Sequence, residues 1–374
     1  MPSSHHSSSA GVLSLLLAAA CGGASPTAAP SDPVYRFGAK FEPPVGRVVH
    51  GIGQWESYNV TYSAQLSAAT QPASELLFIA IGDTPRGWDR QKFAAGLAAI
   101  DARGRIPLID ISLGGLKKTT AEIAQLADPL YGIDHEIANG TKYDSRLQDV
   151  ADALKAFRKP VMMRIGGEFS GSWNGYHPYE YPKAFRKIVG MVRAAGADNV
   201  AFVWCYEPAA SDDFDAKNAT GAYKWFPGAD VVDWFSIDLF ATADLSGATT
   251  ERGVLTQYGR TLKFLNMAVS QHKPVVIAES SPQQYDITKA ADAQTAWNAW
   301  FTPYFALITA RSEIEWFTYI SYDWGLASIS SAQGWKNNDL ASSSLLASYK
   351  TEIGSTKYLH SPDRSLLKDY TTYR

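Results

Sequence analysis

The sequence predicts a single (β/α)8 barrel with loop insertions. Three observations predict it: eight short runs that are apolar almost throughout, amphipathic helical stretches between them, and 374 residues to hold both. Strands that read apolar on both faces belong to parallel sheets covered on either side. A doubly wound open sheet has the same alternation. It would carry a glycine-rich fingerprint after its first strand, and none follows here.

The runs are, in order, Val48–Gly53, Leu76–Ile81, Ile106–Ile111, Val161–Ile165, Ala201–Cys205, Trp234–Asp238, Val275–Ala278 and Glu315–Ser321. Between them the spacing predicts helices over Arg90–Arg103, Tyr181–Ala195, Arg260–His272 and Thr295–Ala310. Two of these have glycine just past the end, Gly104 and Gly196, where a left-handed cap is wanted. The longest insertion lies between Ile111 and Val161, around Asp128–Tyr143. The tail Lys357–Arg374 is polar and aromatic and is expected to lie on the barrel surface.

Ahead of the barrel, residues 11–20 form an apolar run too short to span a bilayer. It ends at Ala18-Ala19-Ala20-Cys21, which resembles a bacterial lipobox, and a Ser/Pro/Ala-rich stretch follows. Residues 1–33 are therefore expected to be an export signal and linker, with a possible lipid anchor at Cys21, and residues 34–374 the catalytic barrel. The expected location is extracellular or in the cell envelope. Composition narrows the partners. A formal net charge of −3 leaves no basic surplus for nucleic-acid phosphates. Two cysteines provide no disulfide framework, and no Cys/His spacing suits a metal. Neither a metal nor an organic cofactor is expected, and the protein is expected to act as a monomer.

In such a barrel the site is built from strand C-terminal ends and the loops after them. That rule selects Glu168, after the fourth run, and Glu279, after the seventh. A charged group at the end of a buried strand costs several kcal/mol unless it is paired or faces a polar cleft. Strands four and seven oppose each other across the mouth, so two carboxyls could approach one sugar carbon from two sides. Arg164 shares the side-chain parity of Glu168 and is expected to point inward with it, beside Glu279. Trp173, Tyr176 and His177 follow Glu168 in an aromatic, glycine-rich loop. Trp204, Tyr206 and Glu207 end the fifth run, Asp238 the sixth, and Trp324 follows the eighth; His50 lies on the first. Tyr and Trp at such ends suit stacking on pyranose faces. All of these are substrate-binding candidates.

Arg164, Glu168, Gly171 and Trp173, followed by Tyr181–Val189, Gly196–Trp204, Val232–Asp238 and Lys273–Glu279, resemble the mannanase-type glycoside hydrolases of family 26, within the large clan of retaining barrel glycosidases. The resemblance implies Glu168 as acid/base and Glu279 as nucleophile of a retaining hydrolase of a β-linked polysaccharide of mannan, xylan or glucan type, and the open aromatic loops add the expectation of endo action. The chain departs from the family pattern at Gly167, where the family has His. It departs again at Ser170, in place of Asn, and at Phe240, in place of Tyr. Those departures leave the sugar open. Two other readings stand beside this one: a carbohydrate-binding barrel without catalysis, and an inverting glycosidase using Glu168 with Glu207 or Asp238.

Overall fold

The computed structural model describes residues 32–83, 87–115, 130–326 and 334–373. The apolar segment 11–20 and Cys21 lie outside the described residues. Eight parallel strands close on themselves: β1 (Val48–Gly53), β2 (Ser74–Ala80), β3 (Ile106–Ser112), β4 (Val161–Glu168), β5 (Val200–Tyr206), β6 (Trp234–Leu239), β7 (Val275–Ser280) and β8 (Ile314–Ile320). β8 pairs with β1, from Val49 opposite Trp316 to Gly53 opposite Ile320, and completes the ring.

Alternation along each strand sorts side chains into two cores. Ile109, Met163, Phe202, Trp204, Phe235, Ile277 and Phe317 face the helices. Leu108, Met162, Val203, Trp234, Val276 and Trp316 fill the barrel interior. The interior is thus a packed plug, and its two indoles are tied down at both edges: Trp316 Nε1 donates to Ser74 Oγ at 2.8 Å and Trp234 Nε1 to the Lys40 carbonyl at 2.8 Å. Each such side chain buries on the order of 200 Å², an upper limit of about 5 kcal/mol of hydrophobic stabilisation.

Helices α1 (Glu56–Ser63), α2 (Arg90–Ala102), α3 (Asp134–Asn139), α4 (Asp144–Phe157), α5 (Tyr181–Ala195), α6 (Gln257–Ser270), α7 (Ala290–Ala296), α8 (Thr302–Ala310) and α9 (Leu346–Ile353) surround the strands. α5 begins with a proline in its first turn and ends at Gly196, at φ 80°. The stretch expected as one helix over Thr295–Ala310 is α7 and α8 joined through a π turn, Trp297–Phe301. The expected alternation fails once: among the described residues the β5–β6 connection, 207–233, carries no helix. Pro208, Asn218, Gly221, Pro227 and Gly228 interrupt it too often for a helical run.

The tail does more than lie on the surface. Tyr358 and Leu359 add a short parallel pairing to Val48 and Val49 at the N-terminal end of β1. Leu367 joins Phe41 in the interior core, closing the barrel floor. The catalytic face of such a barrel is therefore the opposite, C-terminal end.

Candidate active site

Two local irregularities aim the site. Along β4 and β5, Arg164 pairs with Val203 but Glu168 with Cys205, so β4 spends four residues where β5 spends two. The surplus is absorbed at Gly166 and Gly167, at φ 80° and 52°, a left-handed conformation that costs a side-chain-bearing residue about 1–2 kcal/mol. Because two residues are absorbed, Glu168 keeps the parity of Arg164. β7 does the same with one residue: between the pairs Ile237/Ile277 and Leu239/Ser280 it advances three positions to two on β6. Val276 and Ala278 face inward, so unbroken alternation would send Glu279 out to the helices. The extra residue turns it into the barrel, as bulges beside active sites do.

Inside, Arg164 is fully buried and set among three carboxylates. Its Nη1 donates to Glu279 Oε1 at 2.6 Å, its Nη2 to Asp238 Oδ2 at 2.7 Å, and its Nε lies 3.6 Å from Asp110 Oδ2. Asp238 is committed on both oxygens, since Oδ1 accepts the Glu279 N–H at 2.9 Å and the Cys205 thiol at 3.4 Å. One guanidinium cannot offset every nearby acid in a dry interior. Burial, with the neighbouring Glu279 charge, pushes Asp238 well above the usual carboxylate range, and burial raises Asp110 to about 6.

Glu168 and Glu279 differ from these two acids by reaching the mouth. Asp110 and Asp238 are sealed, whereas the Glu279 side chain is 13% exposed and Glu168 is only partly buried. Burial first, and the Glu279 charge second, raise Glu168 to about 7. Trp173 Nε1 donates to Glu168 Oε2 at 2.5 Å, and Asn174 Nδ2 to the Glu168 carbonyl at 2.8 Å. The indole lies across Gly171, where a Cβ would sit 2.3 Å from Trp173 Cε2, so only glycine leaves it room. Glu207, on the inward parity of Cys205, is buried; burial and the charge of Glu168 raise it to about 9. Its Oε2 accepts from the Ala209 N–H at 2.8 Å.

Opposite Trp173 stands an aromatic wall. Trp324, whose Nε1 donates to Ser281 Oγ at 3.2 Å, meets Trp335 at 4.7 Å and Trp55 at 5.3 Å between ring centroids. Phe240 closes on Trp335 at 4.8 Å, and Trp55 stacks on Tyr322. Trp55 and Tyr322 were not among the candidates, although both stand just beyond a strand end, where the position rule finds them. Trp335 has no such signal, lying well past the end of β8 in the sequence.

Five expected binding residues are engaged away from the acid cluster, and Arg164 and Asp238, within it, are sealed from the mouth. Cys205 points inward to Asp238, so its neighbours Trp204 and Tyr206 point outward. Trp204 stacks on Phe169 at 4.4 Å, and Tyr206 packs on Phe264 at 4.9 Å. His50 alternates outward as well and meets Tyr62 and His360 behind the sheet. Tyr176 is buried, its hydroxyl accepting the Leu113 N–H at 3.1 Å, and His177 bonds Asp134 through Nδ1 at 2.9 Å and its backbone N–H at 2.7 Å. Those last two fasten the loop after β4 to Leu113, just past β3, and to Asp134, the first residue of α3. A strand end nominated Trp204 and Tyr206, the first strand His50, and the loop after β4 Tyr176 and His177, whereas parity and loop packing placed all five. Arg164, Glu168, Glu207, Asp238 and Glu279 lie together on the inner side of the barrel, with Trp173 and Trp324 at its mouth.

Comparison with known proteins agrees with this geometry. A family model described as glycosyl hydrolase family 26 matches residues 117–308, which contain both glutamates. A β-1,3-xylanase of a Vibrio species is 32% identical over 204 residues, 50% of this chain and 41% of that protein. A β-1,3-xylanase of an Alcaligenes species is 29% identical over 233 residues, 57% of this chain and 45% of that protein. The matched stretch spans less than half the length of these relatives. Among solved structures, a modular endo-β-1,4-mannanase from Cellulomonas fimi superposes with TM-score 0.53 at 17% identity, covering 86% of this chain and 69% of that one. A family 26 β-mannanase from Bacteroides ovatus gives 0.52 at 13%, covering 87% and 90%. At such identities the likeness shows the barrel fold.

Proposed function

The chain belongs to glycosyl hydrolase family 26, and on that premise we propose that it cleaves a β-linked polysaccharide within the chain, with retention of configuration. One observation carries the reading. Of the four carboxyls arrayed on and above Arg164, two open to the mouth; one of these is bonded to the guanidinium and the other is held near neutrality by burial. Glu279, its charge offset by Arg164, attacks the anomeric carbon. Glu168 gives its proton to the departing glycosidic oxygen, then takes one from the water that releases the sugar from Glu279. Trp173 orients Glu168, and the Trp324 face supports the ring at the cleavage point.

Asp238 as the second acid of an inverting pair is disfavoured because both its oxygens are already bonded inside the barrel. Glu207 in that role would have to lose its proton against burial and the charge of Glu168. For the sugar, β-1,3-xylan is the first choice, since two relatives carry that activity in their names, with β-mannan second. Export rests on residues 11–20, and lipid attachment on Cys21, to be tested by membrane partitioning of Cys21→Ser.

The test is a panel of β-1,3-xylan, β-1,4-xylan, mannan and mixed-linkage glucan, read by reducing ends and product anomer. Glu279→Ala should lose essentially all turnover while keeping its fold, and azide should then give a glycosyl azide of inverted configuration. Activity of Glu279→Ala above about one per cent of the parent would remove Glu279 as nucleophile.

A further inference from the structure

Asp110 belongs to the acid cluster, yet it neither opens to the mouth nor bonds Glu279. It lies on the inner face of β3, its Cα directly paired with that of Arg164. Its Oδ2 is 3.6 Å from Arg164 Nε, and its Oδ1 is buried with no hydrogen-bond partner. The backbone N–H of Gly167 faces the same carboxylate. A Cβ built on Gly167 would lie 3.2 Å from Asp110 Oδ2 and 3.3 Å from Arg164 Nη2. The carboxylate therefore abuts the space that a side chain just before Glu168 would enter. A residue other than glycine there would meet both the acid and its guanidinium, besides adopting a left-handed backbone.

We propose that Asp110 is a positioning residue for the acid/base: its carboxylate backs the left-handed bulge that aims Glu168, and its negative charge holds the proton on Glu168. This rests on the reading of Glu168 as the proton donor. The groups coupled by charge or hydrogen bond to Asp110 are Arg164, the Gly167 N–H and Glu168 from β4, Glu279 from β7 and, in the helix-side core, the buried hydroxyls of Tyr176 and Tyr181. Arg164 is the one cation among them, and Asp238 from β6 and Glu279 each hold one of its terminal nitrogens. Asp110 therefore faces Nε, the nitrogen those acids leave open. An ionised Asp110 partly cancels the guanidinium charge as Glu168 experiences it and repels a second negative charge. Both effects resist loss of the Glu168 proton. Asp110 itself needs no contact with the sugar.

Asp110→Asn tests this, because it keeps the side-chain shape and an acceptor for the Gly167 N–H while removing the charge. The alkaline limb of kcat/KM, which reports the acid form of Glu168, should move down by about half a pH unit or more. Melting should change by no more than about 3 °C. Asp110→Ala, which also removes the support of the bulge, should lower kcat on polysaccharide by at least about tenfold as well as moving the limb. A structural role alone would lower kcat evenly across pH. An unmoved alkaline limb in Asp110→Asn overturns the proposal whatever happens to kcat. If the parent enzyme is inactive on every glycan of the panel, the hydrolase reading has failed separately. The Glu168 carboxyl is then titrated directly by 13C NMR: a midpoint lowered in Asp110→Asn supports the proposal, and an unmoved one overturns it.

Discussion

Five influences set the proton affinity of Glu168. Burial and the Glu279 and Asp110 charges raise it, while the Arg164 charge and the Trp173 N–H favour its charged form. Trp173→Phe keeps an aromatic ring over Gly171 and removes that donor. The alkaline limb of kcat/KM should then rise by about half a pH unit, opposite in sign to the Asp110→Asn shift. In the parent enzyme, activity should fall as pH rises through about 7, where Glu168 loses its proton. The proton matters only when the leaving group needs one. Glu168→Ala should therefore lose polysaccharide cleavage by several orders of magnitude yet still form the intermediate from an aryl glycoside with an acidic phenol. A burst, a low apparent KM and azide rescue with retained configuration are the expected signs. Equal impairment on both substrates, without a burst, would move the role to Glu207.

At the scale of the element, the two bulges decide which residues the strands deliver. Gly167→Ala puts a Cβ into a left-handed position and against Asp110 Oδ2. Backbone strain should cost about 1–2 kcal/mol in urea unfolding. Because the next residue is Glu168, activity should suffer beyond what that destabilisation explains, by roughly tenfold or more in kcat. A variant with the stability loss but normal kcat would show that the bulge does not aim the acid. The strands themselves were readable from apolar runs: β1 spans the expected Val48–Gly53, and the other seven differ at their ends by one to three residues. The bulges were not readable, because an inserted residue changes pairing with the neighbouring strand and leaves the local apolar pattern intact.

Across the whole molecule, the tail is tied to the first strand by a buried chain of hydrogen bonds. His360 Nε2 lies 2.9 Å from the Ile353 carbonyl and must donate to it, so in its neutral form Nδ1 is an acceptor. His50 Nδ1, 3.2 Å away, therefore donates, and its Nε2 accepts from the Tyr62 hydroxyl at 3.3 Å. Burial holds both imidazoles below the usual histidine range. Below about pH 6.5 the unfolded chain takes up protons that the folded one refuses. This contribution to stability is complete above that pH and lost as pH falls. His360→Gln should flatten the fall in urea midpoint between pH 7 and pH 5 relative to the parent, even if its midpoint at pH 7 is lower. Parallel curves for the two proteins would show that the pair does not couple fold to pH.

Fold class and the placing of two glutamates at strand ends were determined by the sequence itself, because apolar runs and residues at strand ends are local properties of a chain. Arg164 was legible for the same reason, its parity surviving a two-residue bulge. Tertiary structure alone decided what each remaining residue faces. Trp204, Tyr206 and His50 turn to the helices because strand alternation gives the inward positions to Cys205 and to Val49 and Gly51, and Tyr176 and His177 serve as fasteners because the insertion comes to meet them. Trp55, Tyr322 and Trp335 form one wall although 280 residues separate the first from the last, since β1 and β8 become neighbours only when the barrel closes. Asp110 gained its place beside Gly167 through strand register, which depends on both partners of a pair and is written in neither one alone.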